Sequence, residues 1–156
     1  PVKRNKATSG VVIEGADDVL VKFSNCCNPL PGDDIIGYIT RGYGVSIHKR
    51  NCTNVPKDIS KSEEPERWVS CYWEDEVGDA FRSTLQITAS DRTGLLADVT
   101  IKFSNMHIFI HSLNSRELKD GKAVVTATID VMGRNHLRGI ISKLSDINGI
   151  EEIKRL

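Results

Sequence analysis

The feature that most restricts this chain is a change of hydrophobic period at about residue 81. From there on, apolar positions fall into a sequence of strand, helix, two strands, helix and strand. Leu85, Ile87 and Ala89 alternate as in a half-buried strand, and Leu95, Val99 and Phe103 recur at helical spacing. Residues 108–118 and 122–132 read as two strands joined at Lys119-Asp120-Gly121, where Asp-Gly is a strong hairpin signal. Leu137, Ile140, Ile141 and Leu144 mark a second helix, which Asn148-Gly149 is expected to end, and residues 150–156 form a last strand. The order βαββαβ specifies a ferredoxin-like sandwich, a four-stranded antiparallel sheet with two helices on one face.

The first half follows another pattern. Short strand signals alternate with Gly and Pro turns. Val19, Val21 and Phe23 alternate with Leu20, Lys22 and Ser24, and a turn follows at Asn28-Pro29-Leu30-Pro31-Gly32. Residues 35–40 and 45–48 read as a hairpin around Arg41-Gly42-Tyr43-Gly44. Residues 57–67 are charged and interrupted by Pro65, so they read as a linker before a last strand at 68–73. The fold class is therefore α+β, with a tail at 1–9, a small β-rich module at 10–76 and the ferredoxin-like module at 77–156.

Charge excludes a simple polycation: 21 basic and 21 acidic residues cancel, although residues 61–80 carry 7 acidic residues against 2 basic ones. No apolar run approaches the roughly 20 residues of a membrane span. The basic N-terminus has no apolar core, so no signal peptide is read, and the four cysteines are expected to be thiols or metal ligands in the cytoplasm. An opening Pro in place of Met reads as a fragment of a longer chain.

Three constellations carry chemistry. Cys26, Cys27, His48 and Cys52 supply a soft thiolate and imidazole set, with an HxxxC spacing suited to zinc. Neighbouring side chains on a strand point to opposite faces, so Cys26 and Cys27 share an ion only if the chain kinks between 25 and 29. The competing reading is that they are small buried apolar groups. Cys71, between Ser70 and Tyr72, reads as packing. The second constellation is Arg41 and Tyr43 at the hairpin tip, with Lys49 and Arg50 further on. It would meet phosphates and an unpaired base, or be an ordinary solvated turn. The third is Asp91, Arg92, Thr93, Gly94, Leu95 and Leu96, a strand-to-helix turn. Its backbone amides would take the carboxylate, and Asp91 the ammonium, of a free amino acid; alternatively Asp91 or Thr93 simply caps the helix.

No nucleophile-base motif, glycine-rich phosphate loop or HExxH is present, so catalysis is not expected of these residues. His107 and His111 are read with the expected strand, His107 at its very start, where a metal pair is disfavoured. The strand at 122–132 has no aromatic to stack a base, against an RNA-reading sheet.

CCNPLPGDDIIGYITRGYGVSIHKRNC, residues 26–52, resembles the zinc-finger-like module of long Rel/RelA/SpoT enzymes, also called the conserved-cysteine or ribosome-intersubunit domain. DRTGLLADVT, residues 91–100, together with the βαββαβ order, resembles the ACT module that ends the same enzymes. The resemblance implies the regulatory C-terminal region of a bifunctional (p)ppGpp synthetase/hydrolase, a GTP pyrophosphokinase of the stringent response. It implies docking on the ribosome (rRNA, near the A-site tRNA) and a relay of amino-acid starvation to N-terminal catalytic domains of the same chain. It also implies zinc, a branched-chain amino acid and a homodimer through the ACT module. The alternative is a free-standing amino-acid-binding ACT regulator with a zinc-dependent nucleic-acid adaptor.

Overall fold

The structure is a computed structural model and describes residues 10–16, 19–42, 44–74 and 80–156. The chain divides into two compact units, Pro1–Asp79 and Ala80–Leu156.

The first unit is one five-stranded sheet. Its strands are β1 (Val11–Ile13), β2 (Val21–Phe23), β3 (Ile35–Thr40), β4 (Gly44–Lys49) and β5 (Trp68–Trp73), in the order β1-β5-β3-β4-β2. β3 and β4 form the expected hairpin, with Ile35 opposite Lys49 and Thr40 opposite Gly44. β5 spans 68–73 as its alternation suggested. β1 carried no visible sequence signal; its Val11 pairs with Trp73 at the far end of the unit. β2 runs parallel to β4, Val21 against Val45 and Phe23 against Ile47.

The sheet has a different core on each face. On one, Val11, Ile13, Ile35, Val45 and Ile47 are buried, and Phe23 stacks on Trp73 at 5.6 Å between ring centroids. Each such side chain contributes about 1.5–3 kcal/mol of burial. On the other, Cys27, Ile36, Cys52 and Val55 form a smaller cluster. Residues 57–67, read as a linker, are folded against this second face. Two single turns of 3-10 helix, Ile59–Lys61 and Pro65–Arg67, carry the chain back, and Ile59 packs on the cysteine cluster. Glu64 accepts from Arg41 at 2.9 Å and from Arg67 at 2.6 Å, while the Arg67 guanidinium lies 4.4 Å from the centroid of the Tyr38 ring. Charge and proline counted there as signs of a connector; one isoleucine and one bridging carboxylate override them.

The second unit has β6 (Phe81–Ser90), α1 (Leu95–Asn105), β7 (Ile110–Glu117), β8 (Lys122–Val131), α2 (Arg134–Ser145) and β9 (Ile150–Arg155). The sheet is antiparallel throughout, in the order β7-β8-β6-β9, the ferredoxin-like arrangement anticipated from the period change. Alternate residues of β8, from Ala123 to Val131, are buried with Leu85, Ile87 and Ala89 of β6. Leu95, Val99 and Phe103 of α1, and Leu137, Ile140 and Leu144 of α2, supply the buried helix stripes. The β7–β8 turn closes at Asp120-Gly121, where Leu118 N–H donates to Lys122 O at 2.8 Å.

Three local readings are corrected. α2 ends at Ser145, with Asp146 as C-cap in a right-handed conformation; Gly149, at φ 93°, serves the turn into β9 instead. The N-cap of α1 is Gly94 with no side-chain cap bond, so neither Asp91 nor Thr93 caps the helix. His107 lies outside the strand in a turn at φ 58°, whereas His111 sits in β7 and its Nε2 is 2.6 Å from Asp130 Oδ1.

Candidate metal centre

The chain leaves β2 and turns at once. Asn28 N–H donates to Ser24 O at 3.0 Å, and Asn28 itself takes φ 45°, a left-handed value that asparagine tolerates. This is the kink that adjacent cysteines require: Cys26 and Cys27 lie on the turn rather than on a strand, so their thiols need not diverge. Leu30 N–H donates to the buried Asp33 carboxylate at 2.8 Å and holds the loop closed. His48 projects from β4 on the same side. The turn after β4, with Cys52 N–H donating to Lys49 O at 3.0 Å, brings Cys52 back over it.

The result is one cluster. The ligand atoms of Cys26, Cys27, His48 and Cys52 all lie within 4.8 Å of one another. Cys26 Sγ is 3.5 Å from Cys52 Sγ and 3.9 Å from Cys27 Sγ; His48 Nδ1 is 3.4 Å from Cys26 Sγ and 4.0 Å from Cys27 Sγ. A tetrahedral ion bonded at about 2.3 Å to sulfur and about 2.0 Å to nitrogen separates its ligands by about 3.5–3.8 Å. The donor set is thus already spaced for one ion.

Burial pushes the Cys27 thiol up to about 12, despite the Lys49 N–H that donates to its sulfur at 3.3 Å. Burial also raises Cys26, but hydrogen bonds with Asn54, Cys52 and Cys27 outweigh it and leave this thiol below its usual value. Burial lowers His48, which keeps the imidazole neutral at pH 7 and its lone pair available. Cys71 lies on the opposite core face, half-buried against the valine and isoleucine cluster, with a thiol pushed up to about 11. It is packing, as its place in a strand suggested.

Sequence reasoning missed four neighbours of the cluster. Ser24 Oγ is 3.1 Å from His48 Nε2 and 2.8 Å from Ser46 Oγ. Asn54 hydrogen-bonds the Cys26 thiol. The Trp68 ring centroid is 6.0 Å from that of His48. Three of them lie two residues from a flagged position, Ser24 before Cys26, Ser46 before His48 and Asn54 after Cys52, but nothing in the sequence sets them apart from other polar residues; Trp68 needed the sheet.

The other candidate residues are arranged differently. Arg41 stands at the hairpin tip, largely exposed, and is engaged by Glu64. Tyr43 lies outside the described residues. Lys49 and Arg50 lie at the opposite end of β4, about 20 Å away at about 3.3 Å per strand residue. Arg50 Nε pairs with Asp34 at 3.2 Å. The basic residues therefore form two sites at the two ends of a strand.

In the second unit, residues 91–96 leave an interior strand, β6, at the end of the sheet. Arg92 spans the turn: its guanidinium donates to Asn148 O at 3.1 Å, to Thr93 O at 3.1 Å and to Asp98 at 2.6 Å. Leu95 is buried in the core, so only Leu96, 41% exposed, faces outward.

The two units define a β-rich cysteine-histidine module joined to a ferredoxin-like regulatory module, and the second of these, residues 78–155, matches the ACT domain. Residues 11–74 match the RelA/SpoT RIS domain. The chain belongs to the RelA/SpoT family and carries its C-terminal RIS and ACT domains in that order. It is 37% identical over 154 residues to a GTP pyrophosphokinase of Streptomyces coelicolor, covering 99% of this chain and 18% of the relative. It is 40% identical over 149 residues to one of Myxococcus xanthus, covering 95% and 19%. It is 31% identical over 157 residues to one of Escherichia coli K12, covering 100% and 21%. The chain thus spans about a fifth of the length of these curated relatives. No described helix is long and apolar enough to cross a membrane.

Proposed function

We propose that this chain is the regulatory C-terminal region of a bifunctional (p)ppGpp synthetase/hydrolase, docking on the ribosome and relaying amino-acid starvation to N-terminal catalytic domains in the cytoplasm. The observation that carries the reading is the order RIS then ACT, together with the similarity of 95–100% of this chain to part of proteins about five times longer that are named GTP pyrophosphokinase. These residues bind and relay; the chemistry belongs to domains elsewhere in such a protein. Four free cysteines suit a reducing compartment.

The cluster of Cys26, Cys27, His48 and Cys52 is read as a structural zinc site. Three thiolates and an imidazole fill a tetrahedral sphere and leave no open position for a substrate. Zinc supplies a cross-link there, tying the turn after β2 to the turn after β4 over a small core that could not hold either one alone.

Ribosome docking is assigned to the two ends of β4. Arg41, with Tyr43, meets one stretch of rRNA backbone, and Lys49 with Arg50 meets another. Arg41→Glu is expected to weaken co-sedimentation of this chain with ribosomes and to lower the slope of log affinity against log salt by about one. Glu64→Gln, which releases Arg41, is expected to strengthen binding. Unchanged affinity and slope in both variants would move the contact to another surface.

For the ACT domain we place a small amino-acid pocket at Asp91, Arg92, Thr93, Gly94, Leu95 and Leu96, completed by a second copy of the domain. Gly94 holds φ 81° with nearly open space where a Cβ would be, its nearest neighbour being Arg92 Nη1 at 3.8 Å. Calorimetric titration with valine, leucine and isoleucine is expected to give a saturable isotherm that Leu96→Asp abolishes. Absence of heat up to millimolar ligand would leave this turn as a protein-docking surface.

A further inference from the structure

We propose that Ser24, backed by Ser46, is a positioning residue of the metal centre that sets which nitrogen of His48 meets the ion. This rests on the zinc reading of the cluster given above and extends it to residues that hold no metal themselves.

The geometry is a short relay. His48 turns Nδ1 toward the thiols, 3.4 Å from Cys26 Sγ and 4.0 Å from Cys27 Sγ. Its other nitrogen, Nε2, meets Ser24 Oγ at 3.1 Å, and Ser24 Oγ meets Ser46 Oγ at 2.8 Å. Ser24 is only 8% exposed. Its backbone is fixed on both sides: its N–H donates to Ile47 O at 3.0 Å, and its carbonyl accepts Asn28 N–H at 3.0 Å.

A neutral imidazole carries one proton. An imidazole that ligates through Nδ1 must carry it on Nε2, and a buried N–H needs an acceptor. Ser24 Oγ is that acceptor, and its own hydroxyl hydrogen goes on to Ser46. The opposite direction, Ser24 donating to Nε2, would leave the proton on Nδ1 and point an N–H at the thiols. With its own hydrogen directed to Ser46, the serine supports the Nε2-protonated tautomer and fixes the ring plane in one contact, the part that outer hydrogen-bond partners play at metal-bound histidines. One turn does two things: it delivers the thiols of Cys26 and Cys27, and through Ser24 it aims the imidazole of His48.

The test is zinc affinity of the full chain, by competition with a chromophoric chelator. Ser24→Ala keeps both backbone bonds and removes the acceptor; it is expected to weaken zinc binding by about 10–100-fold. Ser24→Thr keeps the hydroxyl and is expected to restore affinity to within a few-fold. In 15N NMR of the zinc-loaded chain, His48 is expected to show a protonated Nε2 whose exchange with solvent quickens in Ser24→Ala. If the unsubstituted chain binds no zinc, the metal reading falls and this role falls with it. If it binds zinc and Ser24→Ala binds equally well, the positioning role is overturned while the metal reading stands. Equal losses in Ser24→Ala and Ser24→Thr would also overturn it, since packing rather than the hydroxyl would then be at work. Should Ser24→Ala fail to fold, Ser46→Ala decides: a smaller loss in the same direction is expected, and unchanged affinity overturns the relay.

Discussion

Cys52→Ala is expected to lower the zinc content of the purified chain from about one ion to below about 0.2 and to abolish cooperative unfolding of the first unit. The size of the effect follows from what a structural zinc supplies, an apparent 10–16 kcal/mol or so in small zinc-dependent domains, more than the whole stability of a unit this size. The core cluster it closes is small: its buried side chains are Cys27, Ile36, Cys52 and Val55, with Ile59 and Trp68 packed against them, and two of the four belong to the proposed zinc site. Chelation of the unsubstituted chain should reproduce the loss. Cys71→Ala is the control, because that thiol packs on the opposite face and has no part in the cluster; its zinc content should not change. The transition of the second unit, which has its own core, should persist in both variants. Zinc absent from the unsubstituted chain would show the cluster to be a packed set of thiols, and zinc retained at full content by Cys52→Ala would remove Cys52 from the site.

Gly44→Ala is expected to destabilise the first unit far more than Gly42→Ala, although both glycines are left-handed, at φ 87° and φ 83°. A Cβ on Gly42 meets nothing within 4 Å, so its cost is the conformational one of about 1–2 kcal/mol. A Cβ on Gly44 would sit 2.1 Å from Leu20 O and 2.9 Å from the Leu20 carbonyl carbon. That oxygen accepts Val45 N–H at 2.8 Å, the bond that starts the parallel pairing of β2 with β4. The clash is with backbone and cannot be relieved by a rotamer, so the loss should exceed about 4 kcal/mol or prevent folding of the unit. Urea unfolding of the two variants measures the difference; equal losses would mean that β2 can shift away from Gly44 at little cost.

What the sequence made legible was whatever repeats over a few residues. The β3–β4 hairpin, β5 and each strand and helix of the second unit show their period in the chain, and Asp120-Gly121 announces its turn. The helix ends were less legible. Asn148-Gly149 has the right chemistry for a left-handed turn but does its work three residues beyond the last helical residue, Ser145. β1 was invisible because three residues cannot show a period, and it is a strand only through Tyr72 and its neighbours some sixty positions on. Parallel pairing of β2 leaves no local trace at all. The four cluster residues were recoverable because thiols and imidazoles are few and chemically distinct, whereas Ser24 and Ser46 look like any polar residues on a strand. Arg41 and Arg50 were grouped by closeness in sequence, which a fully extended strand converts into separation in space.

The first and last strands of the five-stranded unit are neighbours. Val11 pairs with Trp73, and Glu74 N–H donates to Gly10 O at 2.7 Å, so the polypeptide comes in and goes out at one point. Tension between the flanking segments would act on that point alone and peel β1 from β5 one bond at a time, from Trp73 toward Cys71, in the manner of a zip. A strand pair loaded from one end resists far less than one loaded along its length, because its bonds break singly. Mechanical pull along the chain would therefore open this unit at its two ends first, while the turn after β2, the end of β4 and the turn that follows it, which carry Cys26, Cys27, His48 and Cys52, would feel the load only after β1 had gone.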